Sequence, residues 1–148
     1  MKQKLKQLLE KEMFINLATV NLDGVPEARA MINLQSKEIA PHLQDFFAKV
    51  PTGEIYFITN TSSAKMAQIA KNNAASVYLY DAQTYAGILL LGTVAEVKDQ
   101  KIIDTFWVDD WKMYYPAGKD GGDFSILKFT GKNYKHYTGE FKVEKGQI

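Results

Sequence analysis

Apolar residues recur along this chain in two rhythms, one of helices and one of strands. Near the start, Leu5, Leu8 and Leu9 fall on one face of a 3.6-residue repeat and predict a helix. FINLATVNLDGVPEARAMINLQ then reads as two strands joined at Asp23-Gly24, a strong hairpin signal. PHLQDFFAKVP predicts a short helix between prolines, with Leu43, Phe46 and Phe47 on a shared face. EIYFIT is a strand, and SSAKMAQIAKNN a helix with Met66, Ile69 and Ala70 inward. ASVYLYDA and YAGILLLGTVAEVKD form a further pair of strands around Ala82-Gln83-Thr84. DQKIIDTFWVDDWKMYYP predicts one helical stretch, ended by Pro116 and by Gly118, Gly121 and Gly122. DFSILKFTG and NYKHYTG close the chain as strands.

Strands joined mostly by hairpins, with a few short helices between them, predict a mainly β (α+β) protein, an antiparallel barrel with attached helices. The elements do not alternate regularly, which disfavours a doubly wound parallel sheet. No repeat, linker or low-complexity segment divides residues 1–148, so a single domain is expected.

Composition narrows the function. With 46% hydrophobic and 24% charged residues the balance is that of a soluble globular protein. A net charge of +1 leaves no electrostatic footprint for nucleic acid. Cysteine is absent, which removes disulfides, thiolate catalysis and cysteine-ligated metals together. The opening MKQKLKQLLEKEMF lacks the unbroken apolar core of about 7–15 residues that a secretory signal needs. The longest apolar run, AGILLLG, is too short to span a bilayer. A cytoplasmic location is expected.

The densest polar signal is TNTSSAK, residues 59–65, where strand gives way to helix. Two readings stand. The hydroxyls and the amide could cap the helix, or they and Lys65 could cradle a phosphate at the helix N-terminus. Arg29 sits in a strand amid Ala28, Ala30, Met31 and Ile32, where a guanidinium either faces solvent or offers fixed donors to a phosphate. Trp107, Trp111, Tyr114 and Tyr115 fall at helical spacing and suggest an aromatic stripe, for core, subunit contact or a flat ligand. His42 and His136 have no neighbours at metal-ligand spacing, so no metal site is expected. Asp109 and Asp110 are adjacent and point apart. No nucleophile elbow, P-loop or G-x-G-x-x-G is present.

Five segments in this order resemble the pyridoxamine 5'-phosphate oxidase-like flavoproteins, in particular their small general stress protein branch. They are LATVNLDGVPEARAM, IYFITNTSSAKMAQIAKNN, ILLLGTVAEVKD, FWVDDWKMYYPAG and YKHYTG, spanning roughly Phe14 to Gly139. The resemblance implies a six-stranded split β-barrel that forms a homodimer and holds FMN in clefts at the subunit interface. It implies that Thr59, Ser63, Lys65 and Arg29 surround the FMN phosphate. The backbone of Ala30, Met31 and Ile58 would lie against the isoalloxazine ring. Tyr137 stands where relatives often carry a tryptophan that packs on the flavin from the other subunit, and the Trp111 to Tyr115 segment would lie near the same cleft.

Departures from the true oxidase narrow the implied chemistry. Its Arg-Lys pair is Ala64-Lys65 here, the lysine after its strand arginine is replaced around Leu34, and its substrate-holding C-terminal segment has no counterpart after Gly139. Pyridoxamine phosphate oxidation is therefore not expected. The resemblance implies an FMN-dependent oxidoreductase acting on an unidentified small molecule. The alternative is a flavin-binding stress or storage protein without turnover, and haem or a deazaflavin are the competing cofactors.

Overall fold

A computed structural model describes residues 1–148. Helix α1 (Lys2–Lys11) leads into β1 (Phe14–Val20) and β2 (Pro26–Ile32). The hairpin between them is closed as its sequence predicts. Gly24 takes a φ of 83°, and the Asn21 side-chain oxygen accepts from the N–H groups of Asp23 and Val25. A 3-10 turn (Pro41–Leu43) and the one-turn α2 (Gln44–Phe47) precede β3 (Glu54–Asn60) and α3 (Ala64–Lys71). Next come β4 (Ala74–Tyr80), β5 (Gly87–Glu96), α4 (Gln100–Phe106), a 3-10 segment (Asp109–Met113), β6 (Phe124–Tyr137) and β7 (Val143–Gln147).

All pairings are antiparallel, and six strands run in the order β2-β1-β4-β5-β6-β3. One edge of β6 pairs with β5; the other pairs with β3 and then, further along, with β7. The end strands β2 and β3 approach each other without hydrogen-bonding, so the barrel is split at that seam. The total is seven strands rather than six. The last strand, VEKGQ, is polar and exposed along most of its length, and it carries no alternation that a sequence pattern could reveal.

Two cores hold the sheet. Inside the barrel, Ile15, Leu17, Phe57, Val77, Leu90 and Phe129 are closed over by Leu5 and Leu9 of α1 and Ile69 of α3. Outside β3 and β6, Tyr56, Ile126, Phe106, Tyr115 and Phe124 form a second cluster with Leu34 and Leu43. β3 is covered on both faces, which is why EIYFIT is continuously apolar rather than alternating.

Three further expectations are corrected. The stretch after Asp99 is not one helix. Trp107 and Val108 are extended, because a run of aromatic and β-branched residues propagates a helix poorly and Trp107 turns to pack on Phe124. DFSILKFTG and NYKHYTG are one strand; the turn-like Gly131-Lys132-Asn133 is absorbed by a bulge opposite Leu91 and Gly92. A Cβ on Gly92 would stand 2.0 Å from the Thr130 carbonyl oxygen, so the bulge requires glycine there. On α3, Ala70 is exposed, and the inward residues are Gln68 and Ile69 with Met66 half-buried. No helix is long and apolar enough to cross a membrane.

Candidate functional site

The polar run at the end of β3 divides into two groups with different partners. Asn60 Nδ2 donates to Asp123 Oδ2 at 2.7 Å, and the Ser62 backbone N–H and hydroxyl both donate to Asp123 Oδ1. Thr61 bonds Ser125 at 2.6 Å. These three residues lash the β3–α3 connection to the start of β6. Thr59 and Ser63 turn instead to Lys65, whose Nζ donates to Thr59 Oγ1 at 2.9 Å and to Ser63 Oγ at 2.6 Å. Ser63 occupies the cap position of α3, yet no side chain caps the helix. Capping therefore does not account for this run.

Across the seam, Arg29 comes close enough for its charge to act on Lys65. On β2 its side chain shares a face with Glu27 and Met31, since residues two apart point the same way. Met31 is buried in the barrel core, and Arg29 lies nearer the barrel's rim. Its Nη1 donates to Thr19 Oγ1 at 2.7 Å and to the Leu17 carbonyl at 3.3 Å, and its Nη2 to Gln68 Oε1 at 3.3 Å. Burial lowers the pKa of Arg29, against the raising effect of Glu27. Burial also lowers that of Lys65, and the positive charge of Arg29 lowers it further. Lys65 forms no ion pair; its partners are hydroxyls. Two half-buried cations thus lie within each other's field, an arrangement that an anion between them would relieve.

The other expected site residues fall in different places. Ala30 is exposed on the outer face of β2, and Met31 is inside. Ile58 points away from Thr59, into the second cluster. Trp111 packs on Phe124, which stands opposite Asn60 and so near the cradle end of β3. It also meets Trp107 and His42 edge-on. Tyr115 is buried in the same cluster, but Tyr114 is exposed, so the predicted stripe holds for three of its four rings. Tyr137 lies elsewhere. Thr59 pairs with Ser125, and Tyr137 is twelve residues further along β6, roughly 40 Å of strand. It stands edge-on to Tyr78 at 6.2 Å, and Tyr78 stacks with Tyr80. One chain therefore does not bring Tyr137 to the cradle.

Thr19, Glu27 and Gln68 join the site without having been expected there. Gln68 lies one helical turn after Lys65, and Thr19 continues the inward series Ile15, Leu17; that spacing was the available signal. A cavity of about 580 Å³ lies between α1 and the segment around and after α2 and does not touch Arg29 or Lys65.

A barrel split at one seam, with a cationic cradle beside it, defines a class of fold, and comparison places the chain within it. Residues 4–142 match the family described as pyridoxamine 5'-phosphate oxidase like, and the chain belongs to that family. Among solved structures it is similar to a protein related to general stress protein 26 of B. subtilis (pyridoxinephosphate oxidase family) from Clostridium acetobutylicum. Identity is 26% and the TM-score 0.78, over 100% of this chain and 96% of that one. General stress protein 26 from Bacillus anthracis str. Sterne shares the fold at 16% identity and TM-score 0.72, covering 99% and 98%. A heme binding protein from Mycobacterium smegmatis shares it at 14% identity and TM-score 0.70, covering 99% of this chain and 57% of that protein. Curated protein sequences gave no match.

Proposed function

We propose that this protein is an FMN-binding oxidoreductase, with Arg29, Lys65, Thr59 and Ser63 holding the FMN phosphate. The observation that carries the reading is Lys65: a half-buried cation with hydroxyl partners alone, inside the field of Arg29. A dianionic phosphate fits that donor set, since it accepts from guanidinium, ammonium and hydroxyl groups at once. The backbone of Ala30, Met31 and Ile58 would flank the isoalloxazine ring. Bound FMN would supply the electron transfer; the chain's own residues bind and orient it.

The site is completed by a second copy of the chain. Phe14, Ile32 and Tyr80 are exposed apolar residues on the outer face of β1, β2 and β4, beside the small Ala28 and Ala30. A face of this kind favours self-association. It would also let Tyr137 reach a cradle that its own chain holds too far away. Trp111, near the end of β3, would border the cleft where a small substrate enters.

Haem fits the histidines less well. His42 Nε2 is engaged with the Phe106 carbonyl at 3.0 Å, and His136 is buried against Glu144 near the Tyr137 end of β6. The second reading, a flavin carrier without turnover, is favoured by one feature. The carboxylates beside the cradle are engaged: both Glu27 oxygens accept from the Gln68 and Asn21 amides, and both Asp123 oxygens accept from Asn60 and Ser62.

The test is direct. Protein purified without added cofactor is denatured, and the released chromophore is identified by chromatography. FMN supports the reading, whereas haem or a deazaflavin overturns it. Anaerobic mixing of the loaded protein with NADH or NADPH then separates the two roles: bleaching at catalytic rates marks an oxidoreductase, and an unchanged yellow protein a carrier.

A further inference from the structure

Gln68 makes three side-chain hydrogen bonds beside the cradle, as many as Arg29, and it is 5% exposed. Its Oε1 accepts from Thr19 Oγ1 at 2.7 Å and from Arg29 Nη2 at 3.3 Å. Its Nε2 donates to Glu27 Oε2 at 2.7 Å. The other Glu27 oxygen accepts from Asn21 Nδ2 at 3.0 Å, and Asn21 is itself fixed by the hairpin turn that it closes. Both oxygens of this carboxylate are thus engaged by neutral amides. The Glu27 carboxyl is held below its usual value, by Gln68 first and Asn21 second, so it is charged at neutral pH. Yet Glu27 Oε2 lies only 3.6 Å from Arg29 Nη2.

A glutamate two residues from an arginine on the same strand face would ordinarily close onto it as a bidentate pair. Such a pair would cancel the charge that an incoming anion needs. We infer that Gln68 is a positioning residue that keeps the Glu27–Arg29 ion pair loose, at 3.6 Å and short of a bidentate contact, and so leaves the guanidinium available to a phosphate. It acts through Arg29 and has no need to touch the ligand. Because α3 also carries Lys65 one turn earlier, the same helix sets both cationic partners. The inference rests on the proposed phosphate site and adds to it a device for choosing phosphorylated over unphosphorylated flavin.

The experiment measures FMN and riboflavin affinities of the full-length protein by flavin fluorescence quenching. It compares wild type, Gln68→Met, Glu27→Gln, the Gln68→Met/Glu27→Gln double variant, and Lys65→Met. Gln68→Met is expected to weaken FMN about tenfold while leaving riboflavin within about twofold. In the double variant no carboxylate is left to close on Arg29, and FMN affinity is expected to return to within about threefold of wild type. Glu27→Gln alone is expected to change FMN affinity by less than about threefold, because this carboxylate is 46% exposed and its charge is screened by solvent as long as Gln68 keeps it from closing on Arg29. If Gln68→Met does not fold, Gln68→Asn, which keeps the amide but shortens its reach, carries the same expectations.

Unchanged FMN binding in Gln68→Met, with a selective loss in Lys65→Met, overturns the role of Gln68 and leaves the phosphate reading standing. Equal losses for FMN and riboflavin reduce Gln68 to a structural role. A double variant as weak as the single one removes Glu27 from the mechanism. If Lys65→Met is also without effect on FMN, the phosphate reading itself fails.

Discussion

Arg29 Nη1 donates to Thr19 Oγ1 at 2.7 Å, diagonally across the β1–β2 pair. Thr19 is 1% exposed, so this bond anchors the guanidinium to the barrel interior rather than leaving it to solvent. Thr19→Val keeps the shape of the side chain and removes the acceptor. Since a hydrogen bond to a charged group contributes roughly 1.5–3 kcal/mol and Arg29 keeps two other acceptors, the expected loss is at the low end of that range. FMN affinity should fall on the order of tenfold, with riboflavin little changed, in the same fluorescence titration. A loss shared equally by both flavins would place the effect on the fold.

A mixed dimer tests whether the site is shared. Tyr137→Ala should weaken FMN by roughly 0.5–1.5 kcal/mol, the contribution of a packed aromatic beyond its area. If Tyr137 and Lys65 of one site come from different chains, a hybrid of Tyr137→Ala and Lys65→Met subunits has one intact site and one doubly damaged site. Half the sites should then bind FMN with wild-type affinity. A hybrid in which every site is impaired would mean that both residues act within one chain.

Ile32→Asp addresses the interface itself. Ile32 is 38% exposed, and its register partner Phe14 is 59% exposed, on a sheet face with nothing over it in a single chain. A charge there should convert the proposed dimer to monomer in light scattering and lower FMN affinity with it. A wild type that is already monomeric with FMN bound would contradict the two-chain site.

The lashing of α3 to β6 predicts a pH dependence. The Ser62 N–H, then the Asn60 amide and the Ser62 hydroxyl, hold the Asp123 carboxyl below its usual value. A folded-state pKa depressed in this way contributes stability that is present above the unfolded value, about 3.9, and is lost as pH falls through the folded one. Asp123→Asn should therefore lower Tm at pH 7, and its deficit should shrink as the pH drops below about 4. A deficit of constant size between pH 7 and pH 3 would show that the charge of Asp123 contributes nothing.

How much of the molecule was legible in the sequence differs from element to element. Alternation in FINLATV and the turn chemistry of Asp23-Gly24 predicted the first hairpin, because local contacts alone close it. That Thr59, Ser63 and Lys65 come together could be read from the sequence because they lie within seven positions and their side chains meet locally. Spacing alone pointed to Thr19 and Gln68 one by one, but their meeting could not be read, because 49 positions separate them and only the barrel brings them together. The helix over 99–116 failed for a related reason. Its apolar spacing is helical, but Trp107 gains more by packing on Phe124 than by extending α4, and tertiary contact overrode the pattern. β7 left no trace, since its register on β6 is carried by backbone pairing and its side chains are mostly exposed.

The central claim is that Lys65 and Arg29 form a phosphate cradle. It is tested most directly by titrating FMN and riboflavin into wild type and Lys65→Met. Met keeps the approximate length and the helix propensity of Lys65 and removes its charge together with its hydrogen bonds to Thr59 and Ser63. A lost charge-assisted bond of roughly 1.5–3 kcal/mol predicts FMN binding on the order of 10- to 100-fold weaker, with riboflavin affinity and Tm nearly unchanged. FMN affinity equal to that of wild type, or equal losses for FMN and riboflavin, would contradict the claim.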